Sequence, residues 1–315
     1  SPYSIRQQML TEKTKKATVK SSLCEYIREA EEMLDPSLIP DEKCVHDVRV
    51  LLKKARASLK LLEALFDIKS YEREYAALRE AGRLMGSWRE SSVNRKLLKG
   101  YKKKYPEIFV SLADNEKISG ILAGMEKDRL HGQDSGNELE RIISILHRSL
   151  YRIRFHRLDE GTNGLVFSGL TRSFDTVSAY YMNARLNPKS RNLHNFRKKN
   201  KDLLYQLYFF REPDPQAVRR LEKKVESLAR LLGKYNDNAV LLETIGYRFS
   251  PGKIPDSLDL LAVRIKQEQD GYLNKIWPLA FSLFRPGQKP GDLPGLNDGF
   301  AADPGQIIIN GTVRQ

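Results

Sequence analysis

Residues 46–53 and 194–201 carry the same pattern, His-x-x-Arg-x-x-x-Lys, each inside a segment whose apolar residues recur every three to four positions. A glycine follows each at nearly the same distance: His46 and Gly86 stand 40 residues apart, His194 and Gly233 stand 39 apart. Two landmarks that keep their spacing to within one residue point to an internal duplication, which obliges the chain to build both halves from the same kind of element. That element is the helix. Three- and four-residue apolar spacing persists almost throughout, and no run alternates β-branched with polar residues, so the expected class is all-α.

The spacing predicts helices over residues 22–34, 40–66, 71–104 with a kink near Gly86, and 137–157, with a weaker stretch over 115–128. Asp35-Pro36 and Tyr105-Pro106 act as stops, because the residue before a proline is pushed out of helical geometry. After a break at Gly161-Thr-Asn-Gly164 the pattern resumes over 169–186, 190–210, 214–248 and 255–284. Four principal helices are thus expected in each half. The expected organisation is an N-terminal extension over 1–21, a first repeat over 22–160, a second over 161–284, and an irregular tail over 285–315. That tail is rich in Gly, Pro and Asp, with the Ile-Ile-Ile-Asn run at Ile307 pinned to the body.

Lys and Arg outnumber Asp and Glu by 54 to 40, and the net charge of +14 creates an attractive field for anions without specifying a fold. A hydrophobic fraction of 40% supports a buried core, while 30% charged residues and a mean hydropathy of −0.52 argue against a membrane protein. The first residues carry no apolar signal segment, and Cys24 and Cys44 fit no metal or redox spacing, so a cytoplasmic address is expected.

At about 100° per residue, His46, Arg49, Lys53, Arg56 and Lys60 fall within a stripe roughly 80° wide. Val45, Val48, Leu52, Ala55, Leu59 and Leu62 form a separate apolar stripe, so one helix packs a core side and presents cations at its edge. The second copy repeats the arrangement with His194, Arg197 and Lys201 beside Leu193, Phe196, Leu203, Leu207 and Phe210. It has Leu204 and Tyr208 where the first copy has Arg56 and Lys60, so its cationic surface is expected to be the thinner one unless Lys198, Lys199 or Arg172 compensate. Arginine grips phosphate oxygens with a planar fork, lysine adds a mobile point charge, and histidine gains charge near neutral pH. A single basic stripe is ordinarily a solvated face; its repetition favours a binding surface.

From these residues the chain resembles the CHAD family, named for a conserved histidine and an α-helical domain, over about residues 22–284. The first motif is VHDVRVLLKKAR, with His46, Arg49, Lys53, Lys54 and Arg56. The second is LHNFRKKNKDLLY, with His194, Arg197, Lys198, Lys201 and Tyr205. GLTRSF and LLGKYNDNAVL resemble the helices before and after the second motif. Leu204, Asp175, Val177 and the WRES segment at Trp88 depart from the family pattern. The resemblance implies two four-helix bundles related by a pseudo-twofold duplication, with a shared basic cleft lined by His46, Arg49, Lys53, Lys54, Arg56, Lys60, His194, Arg197, Lys198 and Lys201. It further implies binding of inorganic polyphosphate rather than catalysis; no fused triphosphate-tunnel catalytic domain is seen, so a stand-alone member is expected, without a cofactor or metal site, and association with polyphosphate granules is left open.

Three other readings compete. The same cleft could hold the backbone of RNA or DNA, although no base-reading motif is recognisable. A histidine phosphotransfer module would need an accessible, nucleophilic imidazole at His46 or His194. A metal phosphohydrolase built on His46-Asp47 with His147 and His156 lacks a completing ligand spacing, since Asp47 lies about 100° around the helix from His46. A further cluster, Arg95, Lys96, Lys99, Lys102, Lys103 and Lys104, reads as a solvated helix end whose charges suit the helix dipole.

Overall fold

Asp41, Asp67 and Asp214 each stand just ahead of an apolar-periodic segment, and each turns its carboxylate back onto a backbone N–H three residues on: Cys44 at 2.7 Å, Ser70 at 2.9 Å and Ala217 at 3.0 Å. Such caps satisfy donors that the first helical turn leaves without partners. The computed structural model describes residues 2–86, 90–114, 116–127, 135–159, 164–212, 214–248 and 256–296. The helices are α1 (Pro2–Glu32), α2 (Glu42–Leu61), α3 (Ile68–Leu84), α4 (Glu90–Lys104), α5 (Pro106–Ala113), α6 (Glu116–Lys127), α7 (Ser135–Phe155), α8 (Leu165–Leu186), α9 (Ser190–Leu207), α10 (Pro215–Arg248) and α11 (Asp256–Phe284). No strand occurs among the described residues, and the class is all-α. The two basic helices α2 and α9 both run into short 3₁₀ turns, Glu63–Leu65 and Tyr208–Phe210.

One apolar core runs through both halves. Val19, Leu23 and Ile27 of α1, Leu52 and Leu59 of α2, Leu78 of α3, Leu146 of α7, Phe174 of α8, Phe196 of α9, Leu228 of α10 and Phe284 of α11 all belong to it. At its centre α2 packs against α9, where the buried Gln206 amide donates to the Ala57 carbonyl at 2.9 Å. Beside that crossing, α8 comes so close to the end of α2 that a β-carbon on Gly169 would lie 2.8 Å from the Leu61 carbonyl oxygen. Only glycine fits there.

A second, smaller core unites Leu98 and Tyr101 of α4, Ile108 and Leu112 of α5, and Ile118 and Leu122 of α6 with Leu241, Ile245, Leu258, Leu261 and Ile265 at the far ends of α10 and α11. Polar contacts fix the same junction: the Tyr101 hydroxyl donates to Asn238 at 3.1 Å and the Asn94 amide to Thr244 at 3.2 Å.

Several boundaries differ from the sequence-based expectation, each for a local reason. The expected helix over 71–104 is two helices, because α3 packs into the main core and α4 into the second one. Pro106, read as a stop, opens α5 as its first residue, a position where its missing N–H costs nothing. The helix expected over 22–34 begins at Pro2 and so runs on from the segment read as an N-terminal extension. Val19 is fully buried, and Lys15 reaches the Phe209 carbonyl at 2.7 Å. At the other end, Pro290, Leu293 and Leu296 are buried against the main body rather than trailing from it. The Ile-Ile-Ile-Asn run, Trp88 and residues 161–163 of the inter-repeat break lie outside the described residues.

A candidate polyanion cleft between two basic helices

The apolar face of α2, Val45, Val48, Leu52, Ala55 and Leu59, is buried in the main core, as are Leu193, Phe196, Leu203 and Leu207 of α9. Burial of these faces leaves the cations of both helices at the edges of one packed pair. Arg49, Lys53, Lys54, Arg56 and Lys60 are half-buried on α2, as are His194, Arg197 and Lys201 on α9, while His46 and Lys198 are exposed.

Like charges meet across this pair. Lys53 of α2 acts on the His194 imidazole, Arg56 on Lys198, Lys54 on Lys201 and Lys60 on Lys199. Burial pushes all three of these α9 ammonium groups below the ordinary lysine range, and neighbouring cations push the same way: Arg79 and Arg56 at Lys198, Lys60 at Lys199, Arg197 and Lys54 at Lys201. Burial likewise lowers the His194 pKa; Asn236 opposes this, and Lys198, Arg197 and Lys53 add to it. The His194 Nδ1 stands 2.7 Å from the Asn236 Oδ1. With the amide oxygen accepting, Nδ1 carries the proton, and Nε2 is left to accept a bond or, once protonated, to donate one.

Each basic helix sets its arginine against a glycine that follows it in the chain. Arg49 donates from Nη1 to the Gly82 carbonyl at 3.2 Å, and a β-carbon on Gly86 would lie 3.1 Å from the same nitrogen. In the second copy a β-carbon on Gly233 would lie 3.3 Å from Arg197 Nε. A cleft of about 520 Å³ opens here, lined by Arg197, Lys201, Arg230, Gly233 and Lys234 together with Glu226 and Asp237.

Arg230 and Lys234 were not among the expected site residues. A signal was available: Arg230 precedes Gly233 by three positions, as Arg83 precedes Gly86. They add cations to the half that Leu204 and Tyr208 thin out. Leu204 packs against the core, and Tyr208 lies beneath Arg211, whose guanidinium is 4.7 Å from the ring centre and also pairs with Glu222.

Four lysines of this region rest on tyrosine rings: Lys54 over Tyr26 at 5.6 Å, Lys60 over Tyr75 at 5.4 Å, Lys199 over Tyr180 at 5.4 Å and Lys201 over Tyr205 at 5.2 Å. A ring face orients an ammonium group without cancelling its charge, as a carboxylate would. Lys60 is the exception in the row, because its ammonium also pairs with Asp202.

The other clusters sit elsewhere. Arg95 and Lys96 meet Glu42 at 3.5 and 2.5 Å, and Lys104 pairs with Glu268, while Lys99, Lys102 and Lys103 are exposed. These pairs tie α4 to the head of α2 and to α11. His147 contacts Glu31 at 2.9 Å, and His156 stacks on Phe66 with ring centres 4.2 Å apart. Among the described residues no group of three or more His, Cys, Asp and Glu side chains could hold a metal, and no helix is long and apolar enough to cross a membrane.

The fold and this pair of helices define an all-helical protein with a duplicated, histidine-led basic motif. A family model described as the CHAD domain matches residues 23–246, and the chain belongs to that family. Comparison with curated proteins finds no match.

Proposed function

We propose that the chain is a non-enzymatic binder of inorganic polyphosphate, held along the cations of α2 and α9 and in the basic cleft that α9 forms with α10. One observation carries this reading: the fold brings cations of two helices together, Arg56 with Lys198, Lys54 with Lys201 and Lys60 with Lys199, all but Lys198 half-buried, and sets the His194 imidazole beside Lys53. Packing like charges together weakens the unliganded protein, and a polyanion threaded between them offsets that repulsion. Membership of the CHAD family supports the same substrate class. The matching Arg49–Gly86 and Arg197–Gly233 contacts support the further proposal that the two halves are duplicated four-helix units sharing one cleft.

Nucleic acid is the alternative ligand, since its backbone answers to the same cations. Proteins that bind single strands without sequence preference add aromatic rings on which bases stack. Here Tyr26, Tyr75, Tyr180 and Tyr205 already carry lysines on their faces, which suits a ligand that has phosphates and no bases. Competition at equal phosphate concentration and moderate salt tests the choice. Long-chain polyphosphate should displace RNA; displacement in the opposite sense contradicts the proposal.

A further inference from the structure

At the Lys60 end of the row of cations, α2, α3, α8 and α9 line a second pocket of about 210 Å³. We propose that this pocket is a separate anion site, sized for one or two phosphate units: orthophosphate, pyrophosphate, or the end group of a longer chain.

The cations converge from three elements. Gly169 lets α8 press against the end of α2, and Arg172, one turn further along α8 and exposed at the mouth, lines the pocket with Lys60 and Lys199. Lys60 and Lys199 lie close enough to repel each other, and one half-buried carboxylate, Asp202, pairs with Lys60 and also acts on Lys199. Glu63 is exposed at the rim. Three cations therefore meet two carboxylates, one of them outside. Tyr71 lines the wall; burial first, then Glu63, pushes its phenol pKa up, so its hydroxyl stays protonated and can donate to an oxyanion. An oxyanion here relieves the Lys60–Lys199 repulsion and gains charge-assisted hydrogen bonds from both, with Arg172 supplying a forked grip from the mouth. Size narrows the ligand: pockets for drug-sized molecules run about 300–1,000 Å³, so this one excludes a nucleotide but admits a small phosphate.

The test is calorimetric titration of the full chain with orthophosphate and with pyrophosphate. The wild type should bind pyrophosphate in a phase that the Arg49→Ala, Arg197→Ala variant retains. Arg172→Ala, an exposed position that the fold does not depend on, and Lys199→Met should each weaken it about tenfold, the value of one lost charge-assisted bond. Asp202→Asn should tighten it, because Lys60 is released to the ligand. Arg49→Ala combined with Arg197→Ala, which removes the forked contacts of the main row, should leave it unchanged. Competition that scales with chain ends identifies the terminus of a polymer as the occupant, and competition by free ions alone identifies free phosphate; the site stands in both cases. Absence of pyrophosphate binding overturns the proposal, and so does loss in the Arg49/Arg197 variant with Arg172→Ala unaffected.

Discussion

Arg197 lies so close along Gly233 that a β-carbon there would stand 3.3 Å from its Nε and 3.4 Å from its Nη2, and Arg49 has the same relation to Gly86. The glycine is therefore part of how the arginine is aimed. Alanine at position 233 gains roughly 1 kcal/mol of helix propensity inside α10 but pushes the guanidinium aside. Gly233→Ala should leave melting unchanged or raise it slightly while weakening polyphosphate binding by roughly fivefold, about the worth of one displaced hydrogen bond. Gly233→Leu should weaken it further. Equal affinity in all three proteins, measured by fluorescence anisotropy, removes the glycine from the site.

The double substitution Arg49→Ala and Arg197→Ala removes one forked contact from each wall. Bonds to charged groups are worth about 1.5–3 kcal/mol apiece, so affinity should fall on the order of a hundredfold or more. Both side chains stand among like charges, so circular dichroism and the melting temperature should change little. Persistent binding in this variant shows that the polyanion lies elsewhere.

His194 makes the site sensitive to pH in a direction that can be worked out. Burial first, then Lys198, Arg197 and Lys53, hold its folded pKa below the ordinary value of about 6.5 despite the Asn236 bond. The unfolded chain then binds more protons, so stability should fall as pH drops from about 6.5 towards the folded pKa, and His194→Gln should flatten that slope. A bound polyanion favours the imidazolium and raises its pKa. Affinity should accordingly increase as pH falls through the pKa of the complex and level off below that of the free protein. Binding that weakens on acidification contradicts this assignment.

The helices and the paired motifs were legible in the sequence because both rest on local spacing. His46, Arg49 and Lys53 share a stripe on α2, and His194, Arg197 and Lys201 share one on α9, whatever surrounds them. What escaped was set by long-range packing. Nothing near Gly86 announces that α4 leaves the main core so that Leu98 joins Ile245 and Leu261, 147 and 163 residues later. The pairing of Lys60 with Asp202 joins two helices that the sequence separates by 142 positions. Arg230 and Lys234 were missed because the charge reading followed the histidine helices and not the helix each one packs upon.

Glu74 is 1% exposed on α3 and takes a two-pronged contact from Arg152 of α7, Nε at 2.6 Å and Nη2 at 3.1 Å, with Arg73 beside it at 2.7 Å. Removing Arg152 leaves the buried carboxylate with Arg73 alone, whose side chain is half exposed. Arg152→Met should destabilise the fold by about 3 kcal/mol, whereas Glu74→Leu together with Arg152→Met should recover most of that loss. Chemical denaturation distinguishes the two; equal losses show that shape, and not charge pairing, holds α3 against α7.

The central claim is that a row of cations from both helices grips phosphate. Its most direct test is the salt dependence of long-chain polyphosphate binding in the wild type and in the Arg49→Ala, Arg197→Ala variant. For Z contacts the log–log slope should be about −0.7Z, by analogy with flexible single-stranded nucleic acids, and the variant should lose about two contacts' worth of it. A wild-type affinity that does not change between low and high salt contradicts the account.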